Sequence, residues 1–260
     1  MRGQRLREKL DAGTPALNGW MSFPCAPLAE FMAQQGYDSV TVDMQHGMMG
    51  YDTALAMIQA INTTEVTAVV RVPSNEPSII MRMLDAGAMG IICPMVNTPE
   101  QARAFVDSCL YAPKGGRSFG PVRVQLYAGS DYWHQANAAV MPIAMIETVE
   151  AMDNLDAILD TPGLYGIYIG PADFSLSFGL NPVSDQNSEA MLERYRTVIA
   201  AARKRCLKTG IQCSTLEQTL LMRKLGFDYL TAMTDIRLVS LGAQTLMKAL
   251  QQDGGSSPVY

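Results

Sequence analysis

Apolar, β-branched runs recur along the chain, and most are followed by a stretch with helical spacing. Short apolar runs bounded by turn residues read as strands buried on both faces, the habit of parallel sheets. They fall at 18–23, 39–44, 67–72, 90–96, 142–148, 166–170, 208–214 and 229–234. Helical patterns lie at 4–10, 27–35, 77–88, 188–205, 217–226 and 236–251. Within 77–88, Ile79, Ile80, Met83 and Leu84 share one stripe. Thr98-Pro99-Glu100 is a helix start, with an N-cap, a proline and then an acid in the first turn. Gly226 closes the helix at 217–226. Eight strand-then-helix units predict an α/β chain of the (β/α)8 TIM-barrel type. The expectation is one barrel domain over 1–250 and a flexible tail over 251–260. The irregular stretch is 97–141, too long for one helix and a turn. It is expected to hold a helix and a long loop on the top face.

Composition narrows the class. The 260 residues are 48% hydrophobic and 17% charged, with a net charge of -5. A core of useful size can be buried, and nucleic acid is disfavoured as a partner, because phosphate binding needs a basic face. The five cysteines (Cys25, Cys93, Cys109, Cys206 and Cys213) are odd in number and contain no CxxC pair. This predicts reduced thiols in a cytoplasmic protein. The first residues lack an apolar export segment. No apolar run approaches the roughly 18 residues of a membrane helix.

In a barrel of this kind the C-terminal strand ends form the active face. The second strand ends in Asp43 and runs into Gln45-His46-Gly47; the third ends in Arg71, the fifth in Glu147, and the sixth runs through Gly170-Pro171-Ala172 to Asp173. Cys213 and Ser214 follow the seventh, Thr234 and Asp235 the eighth. Glu147 and Asp173 come from adjacent strands, and two such oxygens with waters are a partial shell for Mg²⁺ or Mn²⁺. The alternative is two carboxylates satisfied by helix caps or by arginine, with Asp173 as an N-cap. His46 beside Asp43 is a candidate general base, and Gly47 would permit close backbone approach by a ligand. A guanidinium at the end of an apolar strand, as at Arg71, requires an anion. That anion is Asp43, Asp173 or a substrate oxyanion. No lysine falls at a strand C-terminal end, which points away from imine chemistry. The Gly-rich, basic stretch 113–121 either closes over an anionic substrate or is an ordinary connection. Cys213 reads as a small buried thiol rather than a nucleophile.

Taken in order, these motifs resemble the HpcH/HpaI family of metal-dependent class II pyruvate aldolases. That family includes the 4-hydroxy-2-oxoheptanedioate and 2-keto-3-deoxy-sugar-acid aldolases. The matching stretches are 37–47, Val70-Arg71-Val72, 84–96, 111–117, Ile146-Glu147-Thr148 and Ile169-Gly170-Pro171-Ala172-Asp173. The resemblance implies that Glu147 and Asp173 bind a divalent metal, Mg²⁺ or Mn²⁺, with Co²⁺ an alternative. It implies that a 2-oxo acid chelates the ion while Arg71 steadies the enolate. His46 would serve in proton transfer, with Asp43 and Gln45 supporting it. Backbone amides over Gly170, Pro171, Ala172 and Asp173 would receive the substrate carboxylate. It further implies a homo-oligomer, trimer or hexamer, that exchanges the C-terminal helix between subunits, with Asp85 reaching a neighbour's site. Two positions depart from the close bacterial members: Met145 stands where glutamine is common, and Gln45 where glutamate is common.

The function implied is a carbon–carbon lyase, an aldolase splitting a 4-hydroxy-2-oxo acid into pyruvate and an aldehyde. Two alternatives keep the same site: a lyase of the malyl-CoA or citramalyl-CoA type, and an oxaloacetate decarboxylase. For a CoA ester only Lys114 and Arg117 offer a basic patch. A non-catalytic metabolite-binding barrel is the reading from another class.

Overall fold

The computed structural model describes residues 1–183 and 185–252. Of the expected tail, residues 253–260 lie outside the described residues, while Gln251 and Gln252 complete the last helix. Eight parallel strands close into a barrel in sequence order. They are β1 (Ala16–Met21), β2 (Ser39–Asp43), β3 (Thr67–Arg71), β4 (Gly90–Cys93), β5 (Met141–Met145), β6 (Gly166–Ile169), β7 (Lys208–Gln212) and β8 (Tyr229–Thr234). The helices are α1 (Arg5–Asp11), α2 (Ala26–Ala33), α3 (Tyr51–Ile61), α4 (Pro77–Asp85), α5 (Pro99–Cys109), α6 (Val122–Ala128), α7 (Tyr132–Ala139), α8 (Val149–Asp153), α9 (Leu155–Leu159), α10 (Pro171–Ser177), α11 (Glu189–Arg203), α12 (Leu216–Leu225) and α13 (Asp235–Gln252). The expected (β/α)8 barrel is therefore the fold found. No helix among the described residues is long and apolar enough to cross a membrane.

Strand alternation divides the core in two. Val40, Val42, Ala68, Val70, Ile91, Ala144, Ile167, Ile169 and Ile211 face outward and pack under the helices. Their neighbours Trp20, Val69, Ile92, Ile143, Met145, Tyr168 and Tyr229 fill the barrel. Such alternation follows from the two-residue period of a strand. Local signals set the helix starts: Thr98 caps α5 in a full capping box with Gln101, and Pro99 follows it. Six of the eight described strands, β2 to β7, are shorter than the apolar runs suggest, because those runs continue into the top turns. Strand β5 stops at Met145, so Glu147 stands two residues beyond it.

The stretch 97–141 corrects an expectation. After α5 it carries two further helices, α6 and α7, and it covers the floor of the barrel rather than the top. Val124, Tyr127, Tyr132 and Ala136 pack with Leu6 and Leu10 of α1 and with Met141 at the start of β5. The apolar faces of two short helices and α1 together seal the N-terminal end, which eight strands alone leave open. The Gly-rich connection 113–121 goes with this floor and does not close over its own barrel's mouth. Arg117 donates to Asp85 Oδ1 (2.7 Å) and to the Tyr132 hydroxyl (3.0 Å), and it is buried.

Candidate active site

Strand register places the charged residues of the mouth. Asp43 and Arg71 are direct partners across β2 and β3, and both point inward. Arg71 Nε donates to Asp43 Oδ1 at 2.8 Å and Nη2 to Oδ2 at 2.6 Å. This bidentate geometry is the strong form of the pair. The Trp20 indole N–H, from the end of β1, donates to the same carboxylate at 3.2 Å, and its ring lies 4.9 Å from the guanidinium carbon. Burial acts to raise the Asp43 carboxyl. Hydrogen bonds and charge from Arg71, with help from Trp20 and the His46 amide, overcome it and hold the group below the ordinary carboxylate range. The anion that Arg71 requires is thus Asp43. Nη1 of Arg71 has no hydrogen-bond acceptor among the described residues.

The turn after β2 is tight. The backbone N–H groups of Gln45 and His46 both donate to Asp43 Oδ1, at 3.1 and 3.3 Å. A side chain on Gly47 would meet the Asp43 carbonyl at 2.1 Å, so the chain's own backbone, not a ligand, requires this glycine. The turn leaves the His46 imidazole exposed at the rim of the cavity. Asp43 therefore holds His46 through the backbone rather than through the imidazole.

On the opposite wall, Glu147 is 2% exposed. Its Oε1 accepts from the Met95 N–H at 2.8 Å, and Met95 adopts a left-handed φ of 54° to present that group. Burial, with a further push from the Asp173 charge, lifts the Glu147 carboxyl to about 7, against the effects of Met95 and Arg71. Gly170 is the N-cap of α10, and Asp173 lies inside its first turn. The N-cap alternative for Asp173 is thereby excluded: its carboxylate is exposed and forms no hydrogen bond or ion pair among the described residues. A Cβ at Gly170 would stand 2.5 Å from Glu147 Oε2. Glycine at this position thus lets the buried Glu147 carboxylate pack against the head of α10. Two neighbouring carboxylates, offering oxygen donors alone, fit a hard divalent cation.

These residues line a cavity of about 330 Å³ at the C-terminal strand ends. Asp43, His46, Arg71, Gly170, Pro171, Ala172 and Asp173 are in its wall, and Glu147 lies behind Gly170. Asp85 is not there; it pairs with Arg117 on the floor. Gln45 stands beside the site, bonded to Asp43 through its backbone. Cys213 is buried and its thiol is raised by burial, in keeping with an inert thiol. Lys208 Nζ reaches the Leu10 carbonyl at the floor, and no lysine among the described residues lines the cavity. Asp235 is structural: its two oxygens accept the N–H groups of Ser22 and Phe23, both at 2.9 Å, and tie β8 to β1.

The sequence reading missed Trp20, Tyr168, Gln212 and Arg237, all in the cavity wall. Trp20 and Tyr168 carried a legible signal, being aromatic side chains at inward positions near strand ends. Arg237 lies past the end of β8, in the first turn of α13, where strand patterning gives no guidance.

Residues 20–232 match the HpcH/HpaI aldolase/citrate lyase family. A hydroxypyruvate/pyruvate aldolase of Rhizorhabdus wittichii is 38% identical over 243 residues, covering 94% of this chain and 97% of that protein. A 4-hydroxy-2-oxo-heptane-1,7-dioate aldolase of Salmonella dublin is 33% identical over 262 residues, covering 98% of each chain. An HpcH/HpaI aldolase/citrate lyase family protein of Burkholderia cenocepacia superposes with a TM-score of 0.88 at 27% identity, covering 95% of this chain and 99% of that one. With the motif order, the barrel and the carboxylate pair already in place, these matches assign the chain to the HpcH/HpaI aldolase/citrate lyase family.

Proposed function

We propose that this barrel is a class II pyruvate aldolase, a carbon–carbon lyase that reversibly splits a 4-hydroxy-2-oxo acid into pyruvate and an aldehyde. The observation that carries this reading is the opposition of two devices across one cavity. On one wall Arg71 is locked onto both oxygens of Asp43; on the other stand the coupled carboxylates Glu147 and Asp173. Glu147 and Asp173 would hold a divalent cation, Mg²⁺ or Mn²⁺. When bound, such an ion supplies Lewis acidity toward a keto oxygen.

The chain's own groups supply the rest. His46 takes the proton of the C4 hydroxyl as the C3–C4 bond breaks. The electron pair of that bond moves to C3 and becomes the enolate of pyruvate, while C4 becomes the aldehyde carbonyl. The Arg71 guanidinium, fixed by Asp43 and Trp20, offers positive charge to the developing enolate oxygen without reorganising. Return of a proton to C3 completes pyruvate. Backbone N–H groups over Gly170, Pro171, Ala172 and Asp173 receive the carboxylate, proline contributing only its fixed backbone. Asp43 and Gln45 position the turn that carries His46.

The assembly is part of the same reading. Val239, Leu246, Met247 and Leu250 share one side of α13 and are each more than half exposed, and the helix packs chiefly on β1 and β8. An apolar helix face of this length is covered in a homo-oligomer, trimer or hexamer, by exchange between subunits. In that assembly Asp85 approaches a neighbour's site. Light scattering on the purified protein tests the oligomer.

The test of the function is pyruvate release from a panel of 4-hydroxy-2-oxo acids with Mg²⁺, with Mn²⁺ and with a chelator. Release that depends on the ion is expected. Release that survives chelation rejects the metal mechanism, and release from none of the panel while the ion still binds returns the site to a thioester lyase or decarboxylase.

A further inference from the structure

The cavity has two sides of different character. Strands β2, β3, β5 and β6 contribute Asp43, Arg71, Glu147 and Asp173. Strands β7 and β8, and the turns beyond them, contribute Gln212, Ser214, Thr234 and Arg237. On the aldolase reading, a 2-oxo acid held by the first side would direct its C4 and everything beyond it toward the second. The second side is polar and, among the described residues, contains one cation, Arg237.

Two features of Arg237 bear on this side. Its guanidinium has no ion pair or hydrogen bond among the described residues; Arg82 and Arg223 share that state, but of the three Arg237 is the one in the cavity wall. The nearest carboxylate in sequence, Asp235, is taken up by the N–H groups of Ser22, Phe23 and Ile236. It also sits in the first turn of an 18-residue helix, held by a backbone N–H to Thr234 Oγ1 at 3.3 Å. A cation at a helix N-terminus opposes the helix dipole and destabilises the helix. An anion bound beside it meets both the guanidinium and the positive end of the dipole, and the conflict is relieved.

We infer that Arg237 is a specificity residue that selects aldehydes, and the corresponding 4-hydroxy-2-oxo acids, bearing an anionic substituent beyond the reacting carbon. This rests on the aldolase reading above. The shared chemistry is a carboxylate or a phosphate, and the guanidinium fork suits either. Ser214 is already bound to Asp185; Gln212 Nε2 gives one hydrogen to the Cys213 carbonyl at 3.4 Å and has a second to donate to the same group.

The experiment pairs acceptors for the synthetic direction. 4-Oxobutanoate is compared with butanal, and glyceraldehyde 3-phosphate with glyceraldehyde, each with pyruvate and Mg²⁺ or Mn²⁺. The wild type is expected to prefer the anionic member of at least one pair, and the pair that shows it distinguishes carboxylate from phosphate. Arg237→Ala is expected to lower the anionic-to-neutral ratio of kcat/KM by about 10- to 100-fold, the usual size of a charge-assisted hydrogen bond, mainly through the aldehyde KM. Arg237→Lys restores part of it, and added salt erodes the wild-type preference. Ion-dependent exchange of the pyruvate methyl protons with deuterated water, measured without aldehyde, separates the two levels. Exchange with no anionic preference, or an equal loss for both members of a pair in Arg237→Ala, overturns the role of Arg237 alone. Absence of exchange in the wild type overturns the aldolase reading and this inference together.

Discussion

The two ends of the barrel each bury an arginine against an aspartate and an aromatic ring, yet they do different work. At the mouth, Arg71 meets Asp43 with side-chain exposures of 11% and 2%. At the floor, Arg117 meets Asp85 with exposures of 0% and 27%. The distribution of water is reversed: at the mouth the arginine faces the cavity, at the floor the aspartate faces outward. The carboxyls respond in opposite directions. Asp43, although burial acts to raise it, is held below the ordinary range by its two-pronged partner, whereas burial lifts Asp85 above that range and Arg117 only partly offsets it. Arg117 donates to Asp85 and Tyr132, with Tyr111 4.3 Å away, and its Nε is buried without a partner among the described residues, so none of its N–H groups faces the cavity at the mouth. Arg71 keeps Nη1 uncommitted. One pair closes a floor; the other presents a charge.

Exchanging arginine for lysine at both ends sharpens this contrast, since lysine keeps the charge and loses the fork. Arg71→Lys is expected to lower kcat by about 10²- to 10³-fold, the scale of losing an oriented oxyanion donor, with a small change in thermal stability. Arg117→Lys is expected to do the reverse, costing about 1 to 3 kcal/mol in denaturant unfolding because one ammonium cannot reach both Asp85 and the Tyr132 hydroxyl, with kcat retained. Equal effects of the two substitutions on kcat would break the division between mouth and floor.

The carboxylate wall gives the next largest effect. Glu147→Gln is expected to abolish tight Mn²⁺ binding in calorimetry. In the wild type, Glu147 titrates near 7, so the ion must displace a proton below that pH. Affinity is expected to weaken by about tenfold per pH unit below 7 and to level off above it. Gly170→Ala, whose methyl would fall 2.5 Å from Glu147 Oε2, should weaken the ion more than it weakens the fold, as calorimetry and thermal melts on the same sample would show.

Acid titration addresses the mouth pair itself. Asp43 has a folded value below its unfolded one, so its contribution to stability is complete above the ordinary carboxylate range and disappears as pH falls through the lowered value. The stability difference between wild type and Asp43→Asn should therefore be largest near neutrality and vanish in strong acid. The smallest effect is expected inside the barrel, where the Tyr168 hydroxyl donates to Thr231 Oγ1 at 2.6 Å. Tyr168→Phe should cost about 1 kcal/mol in unfolding experiments.

The eight strands, the C-terminal active face and the meeting of Asp43, His46, Arg71, Glu147 and Asp173 at one mouth were legible in the sequence, because parallel strands buried on both faces leave long apolar runs that end abruptly in charge. The destination of 97–141 was not legible. Its polar and glycine-rich stretches look alike at either end of a barrel, and its place is decided by contacts such as those of Tyr132 and Val124 with Leu6 and Leu10, more than a hundred residues away. Trp20 was hidden because an aromatic at an inward strand position is usually plain core, and only the register that sets β1 beside Asp43 gives its N–H a task. Arg237 lay outside every periodic signal.

The seam between β1 and β8 pairs Ala16 with Tyr229 and Trp20 with Thr234. More than two hundred residues separate these partners along the chain, so closing the seam carries a large loop entropy and belongs to the slow end of folding. During synthesis, Asp43 and Arg71 emerge on strands, and Glu147 and Asp173 just past strands, that can pair with their neighbours, while β1 waits with one edge open until β8 arrives. Trp20, the ring beneath Arg71, sits on that waiting strand. The catalytic mouth thus matures in time as well as in space: a chain halted before residue 229 carries nearly every charged group of the site and an unfinished wall.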